Sequence, residues 1–220
     1  MTTLHRLNEH AQEFGLRLRG ALHPDKADVA PDGCETLILL GPDEPAFWAI
    51  FNASSEYTDG AADPLDRWSQ RVLGHLARDW GGTAIFPSDG PPYPPFIRWA
   101  DRSGQAWPSP VGLLVHDAAG LFISYRGAIA LPERVELDPR GARPCDTCPQ
   151  PCTSACPVGA LRPGKPYDVP VCMAHLRSPD GTACRDGCLV RRACPVVRAF
   201  QRLPEQSAFH MDAFLGEWRP

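Results

Sequence analysis

No stretch of this 220-residue chain approaches the ~18 consecutive apolar residues that a membrane-spanning helix requires. Residues 1–13 hold His5, Arg6, Glu9, His10 and Glu13, with none of the apolar run of a secretory signal. The expected compartment is therefore the cytoplasm. Long helical regularity is also missing, because 25 Pro and 19 Gly interrupt the chain too often for helical repeats or a coiled coil. Cysteine is almost absent from the first 144 positions, where Cys34 stands alone. What is present is ordinary folded-protein composition, 43% hydrophobic and 22% charged, which excludes a wholly disordered chain. Eight of the nine cysteines fall between Cys145 and Cys194. In a reducing compartment such crowding reads as metal ligands rather than as a disulfide framework.

Cysteine usage divides the chain into 1–138 and 139–220, in keeping with the one or two domains that ~150 residues per domain allows. Charge follows the same cut. Residues 1–138 carry 11 Lys and Arg against 19 Asp and Glu, whereas 139–203 carry 10 against 4. A basic segment fits RNA contact. It equally fits anionic thiolate clusters that a positive surround would favour.

Apolar spacing in 1–138 predicts an opening helix ended by Gly15 and a strand over 16–22. A buried strand is expected at 36–40 and a short helix at 45–52. A longer helix should start at Asp63-Pro64, with Asp63 as its cap, and stop at Gly81-Gly82. Its apolar face would be Leu65, Trp68, Val72, Leu73, Leu76 and Trp80. Another strand is expected at 83–86, then an irregular proline-rich loop over 87–95. Runs 111–116 and 121–125 flank Asp117-Ala118-Ala119-Gly120, which predicts an antiparallel hairpin running on to Leu131. The fold class is α+β, a sheet covered by helices. Residues 138–144 form the linker, and the Cys-rich part should hold only short helices, after each Cys-Pro and around Cys172.

The cysteines form two blocks. The first is Cys145-x2-Cys148-x3-Cys152-x3-Cys156-Pro157, and the second is Cys172, then Cys184-x3-Cys188-x5-Cys194-Pro195. Four thiolates hold one [4Fe–4S] cube, and in two-cluster ferredoxins the last Cys of a run, followed by Pro, ligates the other cluster. That crossover assigns one cluster to Cys145, Cys148, Cys152 and Cys194, and the other to Cys156, Cys172, Cys184 and Cys188. The gaps are looser than the bacterial ferredoxin run. Two four-cysteine zinc sites, or disulfides, would also use eight thiols. Cys34 lies outside the pattern and reads as a small buried or loop thiol.

The order of the Cys-rich segments resembles the ferredoxin module of the corrinoid-dependent epoxyqueuosine reductase and reductive dehalogenase superfamily. There too a four-Cys block ending in Cys-Pro precedes an isolated Cys, here in Val171-Cys172-Met173-Ala174-His175-Leu176, and a three-Cys block ending in Cys-Pro. This resemblance covers about 143–200. Over about 35–137, Pro110-Val111-Gly112-Leu113-Leu114-Val115-His116 and the run from Gly120 through Tyr125-Arg126-Gly127 to Leu131-Pro132 resemble the cobalamin-processing CblC family. The resemblance implies a flavin-reductase-like, CblC-like sheet-and-helix domain followed by a small bacterial-ferredoxin-like module with two [4Fe–4S] clusters. It also implies a bound cobalamin, with Ser124, Tyr125 and Arg126 at the corrinoid pocket. It matches Asp89 to a proton donor, although an Asp in a Pro/Gly loop also serves turn chemistry. His116 reads as a surface histidine or a lower axial ligand to cobalt. The domain is shorter than in epoxyqueuosine reductase, and no tRNA-binding repeat domain follows Pro204.

The expected function is thus that of an oxidoreductase. Electrons from a ferredoxin or flavodoxin would pass through two clusters to a corrinoid, for cobalamin processing or cobalamin-dependent reduction. Two other readings stand beside it: an electron-transfer module feeding a partner oxidoreductase, and a compact reductase of a modified nucleoside on RNA.

Overall fold

A computed structural model of the chain describes residues 2–216. It is a mixed fold of helices with a small antiparallel sheet. The chain forms two compact units. The first is Met1–Gln105 with Ser124–Gly141; the second is Ala106–Ile123 with the Cys-rich chain from Ala142. The segment 106–123 therefore groups with the cysteines, whereas the sequence division at 138 assigns it to the first part. The physical reason is burial: Val111, Val115 and Leu121 form one apolar core with Cys152, Leu161, Val190 and Cys194. No described helix is long and apolar enough to cross a membrane.

In the first unit, α1 (Thr3–Gln12) is capped by Thr2, whose hydroxyl accepts the His5 N–H at 3.3 Å. Gly15 then turns the chain at a φ of 72° into β1 (Leu16–Leu22). β1 pairs antiparallel with β2 (Thr36–Pro42), and β2 pairs with β6 (Gly127–Leu131). β6 pairs in turn with β3 (Thr83–Ile85), giving the order β1-β2-β6-β3. β2 and β6 lie inside the sheet and are buried at every position, which is why both read as unbroken apolar runs.

Helices α2 (Ala46–Asn52), α3 (Ser55–Thr58), α4 (Pro64–Asp79) and α5 (Phe96–Ser103) complete the unit. α4 buries Leu65, Trp68, Val72, Leu73 and Leu76 as its spacing predicts. Burying each of these large side chains contributes ~1.5–3 kcal/mol. Trp68 meets Phe47 and Phe51 edge-on, at 5.4 and 5.9 Å between ring centroids. Trp80 instead lies half-buried, its indole N–H donating to His10 Nδ1 at 3.1 Å. The cap differs from expectation: Asp63 adopts a left-handed φ of 52° and makes no side-chain cap bond. Arg67 organises that corner instead, pairing with Asp59 at 2.8 Å and donating to the Glu56 and Ala62 carbonyls.

A second ion pair joins α3 to α4. Arg71 donates to Glu56 at 2.5 and 3.0 Å, and this hydrogen bonding pulls the Glu56 pKa down to about 2. A depressed carboxylate stabilises the fold fully above its unfolded value, near 4.5, and loses that contribution as pH falls toward about 2. Glu56→Gln is therefore expected to flatten the loss of urea stability between pH 5 and pH 2, relative to the parent. Parallel curves would remove the assignment.

The second unit opens with β4 (Ala106–Pro108) and β5 (Leu114–His116), paired antiparallel with Trp107 opposite Val115. This corrects the expected hairpin. The run 111–116 pairs backward across the left-handed turn at Gly112, not forward with 121–125. After β5 the chain makes only an isolated bridge between His116 and Gly120, and Leu121 enters the cysteine core. Short helices follow: α6 (Val169–Arg177), α7 (Thr182–Arg185) and α8 (Leu189–Arg192), with a 3-10 turn at Pro195–Ala199. α6 carries Cys172 and the 3-10 turn follows Cys194-Pro195, as expected, but no helix follows Cys156-Pro157. α9 (Pro204–Leu215) is a 12-residue helix in what reads as a tail, and it buries Phe209 and Leu215.

Candidate metal centres

The second unit brings eight cysteines into two sets of four. Cys145 is influenced electrostatically by Cys148 and Cys194, and Cys152 by Cys145, Cys194 and Cys148. Cys172 is influenced by Cys188 and Cys156, and Cys184 by Cys188, Cys172 and Cys156. For none of these four does an influence cross from one set to the other. The sets coincide with the crossover assignment, so Cys156 and Cys194 each leave their own block to join the other. Burial raises the thiol pKa of Cys145, Cys152, Cys172 and Cys184. All nine cysteines are free of disulfides. Cys34 stays in the first unit, its thiol donating to the Thr36 carbonyl at 3.4 Å.

Local structure places each sulfur. In the first set, Cys152 and Cys194 are buried in the apolar core with Val111, Val115, Leu121 and Val190. Gly120 touches this wall so closely that a Cβ there would lie 2.8 Å from Val197 and 3.1 Å from the Cys194 sulfur. His116 holds that turn. It is buried rather than exposed, and its Nδ1 accepts N–H bonds from Ala118 at 3.0 Å and Ala119 at 3.3 Å. The Asp117 carboxylate lies 2.9 Å from the same nitrogen.

In the second set the four sulfurs line one apolar cavity together with Leu161, Leu176 and Val190. Tyr167 hydrogen-bonds Cys172, and burial followed by that bond pushes its phenol pKa upward, so it serves as a donor. The Ala160 N–H donates to Cys156 at 3.2 Å, and the Leu189 N–H donates to Cys184. Cys188 caps α8, and Arg191, three residues on, lies close enough for the two to interact. Arg191 is half-buried, and its guanidinium donates to the Leu121 carbonyl.

Two observations test which metal group fits. One tetrahedral zinc with bonds of ~2.3 Å would hold its thiolates ~3.8 Å apart. Among the described residues, no three cysteine sulfurs lie within 4.8 Å of one another. Neither set is drawn together as tightly as a single zinc ion would draw it. In addition, His175 lines the cavity of the second set, and its Nε2 is buried without a protein partner. A cluster sulfide is an acceptor that such a group can use, and N–H···S bonds to Cys148 (from Gln150, at 3.3 Å) and Cys156 follow the same chemistry.

The described residues bring three other ligand atoms within 4.8 Å of one another at His10, His75 and Asp79 in the first unit. Trp80 can only donate, so its bond to His10 Nδ1 keeps the His10 proton on Nε2, the atom facing Asp79 at 3.8 Å. That tautomer has no lone pair on Nε2 for a metal.

Of the residues tied to a corrinoid, Arg126 lines a cavity of the first unit. Arg126 is half-buried, with a buried Nε that has no partner and Asp66 at 3.8 Å, and burial lowers its pKa. The cavity, of about 260 Å³, is also lined by Asp66, Ser69 and Phe86. This is below the ~300–1,000 Å³ of drug-sized ligand sites. Tyr125 packs on Phe96, and its hydroxyl donates to the Arg19 carbonyl at 3.5 Å. The Ser124 hydroxyl is buried without a partner. The Asp89 carboxylate accepts the Phe86 N–H at 2.7 Å, which is turn chemistry. Tyr167, His175 and Arg191 carry no motif in the sequence; only the i, i+3 spacing of Cys188 and Arg191 hints at a shared face. No family model, curated protein or solved structure matches this chain.

Proposed function

We propose that this chain is an iron–sulfur redox protein with two [4Fe–4S] clusters, held by Cys145, Cys148, Cys152 and Cys194 and by Cys156, Cys172, Cys184 and Cys188. The observation that carries the reading is the gathering of eight thiols into two crossed sets of four. Such clusters supply one-electron transfer. The chain's own part is to fix the thiolates, donate N–H and O–H bonds to sulfur, and exclude water with the Val111, Val115, Leu121 and Val190 shell. The second unit carries ten Lys and Arg against eight Asp and Glu, a small excess. Arg143 acts on Cys145 and Arg191 on Cys188, which supports charge compensation over RNA binding.

The proposed recipient of the electrons is a corrinoid, with a flavin-reductase-like, CblC-like assignment of the first unit. The resemblance over 35–137 and the half-buried, under-paired Arg126 support this. The cavity beside Arg126 has room for a small polar group of such a ligand rather than for a whole macrocycle. Transfer to a partner oxidoreductase is the alternative recipient. An anaerobic absorption titration with hydroxocobalamin, on protein with intact clusters, separates them. A saturable band shift near one corrin per chain, weakened by Arg126→Ala, is expected. No shift would leave the two-cluster carrier.

A further inference from the structure

We infer that the two clusters are unequal, and that the one on Cys156, Cys172, Cys184 and Cys188 has the higher potential and holds the first electron. The inference rests on the two-cluster reading above. Reduction adds negative charge to a cofactor held away from water. Buried positive charge and hydrogen bonds to sulfur stabilise the reduced form, and an apolar surround opposes it.

The second set has the donors. Ala160, Tyr167 and Leu189 give hydrogen bonds to three of its four sulfurs. His175 Nε2 faces the same cavity wall with no protein acceptor. Arg191 adds a half-buried guanidinium, fixed by the Leu121 carbonyl and three residues from Cys188 on one helical turn. Among the described residues, the first set receives the Gln150 N–H on Cys148 and the N–H of Cys152 on its own sulfur. Its nearby cation, Arg143, is 40% exposed and divided between Asp146 at 3.6 Å and the Pro108 carbonyl at 2.8 Å. Solvent and salt screen such a charge. The apolar core around Cys152 and Cys194 also packs against Cys156 and Cys188, so it does not separate the sets. The hydrogen bonds and the guanidinium favour reduction of the second set first.

The experiment is an anaerobic redox titration followed by electron paramagnetic resonance. It compares the parent with Arg191→Gln, Arg191→Lys and Tyr167→Phe, each first shown to retain about eight irons per chain. Two separate one-electron steps are expected. Arg191→Gln should lower the upper step by about tenfold in its reduction equilibrium, ~59 mV, and leave the lower step in place. Arg191→Lys should restore most of it. Tyr167→Phe, at a more exposed position, should lower the same step by less. Two clusters at equal potentials, or Arg191→Gln and Tyr167→Phe moving the lower step, would overturn the inference while leaving the clusters standing. Absence of iron and sulfide from the parent would remove the reading beneath it.

Discussion

Replacing Cys145 and Cys194 together by alanine is expected to cost no more iron than replacing either one alone. Each single variant should fall from about eight irons per chain to about four, and so should the double variant. The reason is the crossing: both residues belong to one set, although 48 positions of chain separate them. If each block instead served its own cluster, the two changes would strike different clusters and the double variant would lose nearly all its iron. Cys145→Ala combined with Cys156→Ala makes the converse test, since these two share a block but lie in different sets, and it should lose both clusters where the block arrangement would lose one. Cys34→Ala should change nothing, because its thiol faces Thr36 in the other unit. Iron and acid-labile sulfide analysis of the anaerobically reconstituted variants reads the result directly.

The largest stability loss outside the cysteines is expected at Asp28. This carboxylate is fully buried and accepts from Arg98 at 3.0 Å, from Arg102, and from the Asp25 N–H at 2.8 Å. Its carbonyl also accepts the Trp99 indole N–H at 2.8 Å. One residue thus ties the 3-10 turn at Lys26–Asp28 to α5. Removing one partner of a buried charge pair typically costs ~3–5 kcal/mol. Arg98 and Arg102 reach solvent, so they recover part of their hydration, and the lower end of that range applies to Asp28→Ala. Asp28→Asn keeps the shape and some of the hydrogen bonds and should cost ~1–3 kcal/mol. Both should shift the urea midpoint of the first unit with little change in slope. A midpoint for Asp28→Ala within error of the parent would show that α5 is held by its apolar face alone.

The difference between what was legible in the sequence and what was not follows from how local each signal is. α4 was legible because Pro64, five apolar positions at helical spacing and Gly81 all lie within one stretch. β2 and β6 were legible because strands buried on both faces leave unbroken apolar runs. α5 was not, since only Phe96, Trp99 and Ala100 of its eight residues are buried, and prolines precede it. The 111–125 region was misread for a different reason. Two apolar runs about a turn suit a hairpin, but Leu121 is drawn into the cysteine core, a long-range effect that periodicity does not encode. Asp63 shows the same limit on a smaller scale, because its left-handed backbone turns its side chain away from the cap.

The grouping of the cysteines was legible because their spacing and the two Cys-Pro steps follow the ferredoxin pattern. The groups around them were not. Tyr167 reaches Cys172 from a loop, Arg191 is recognisable only once α8 is known to be helical, and His175 matters because α6 turns it into the cavity. His116 was read at the surface because it adjoins a turn, yet it is buried, and its Nδ1 holds the turn that packs against Cys194.

The central claim is that the second unit carries two [4Fe–4S] clusters. Metal and sulfide analysis of anaerobically purified protein, with Mössbauer spectra of an iron-57 sample, tests it most directly. About eight irons and eight sulfides per chain, all in cubane-type sites, are expected. About two zinc ions per chain without sulfide, or cysteines paired as disulfides, would contradict it.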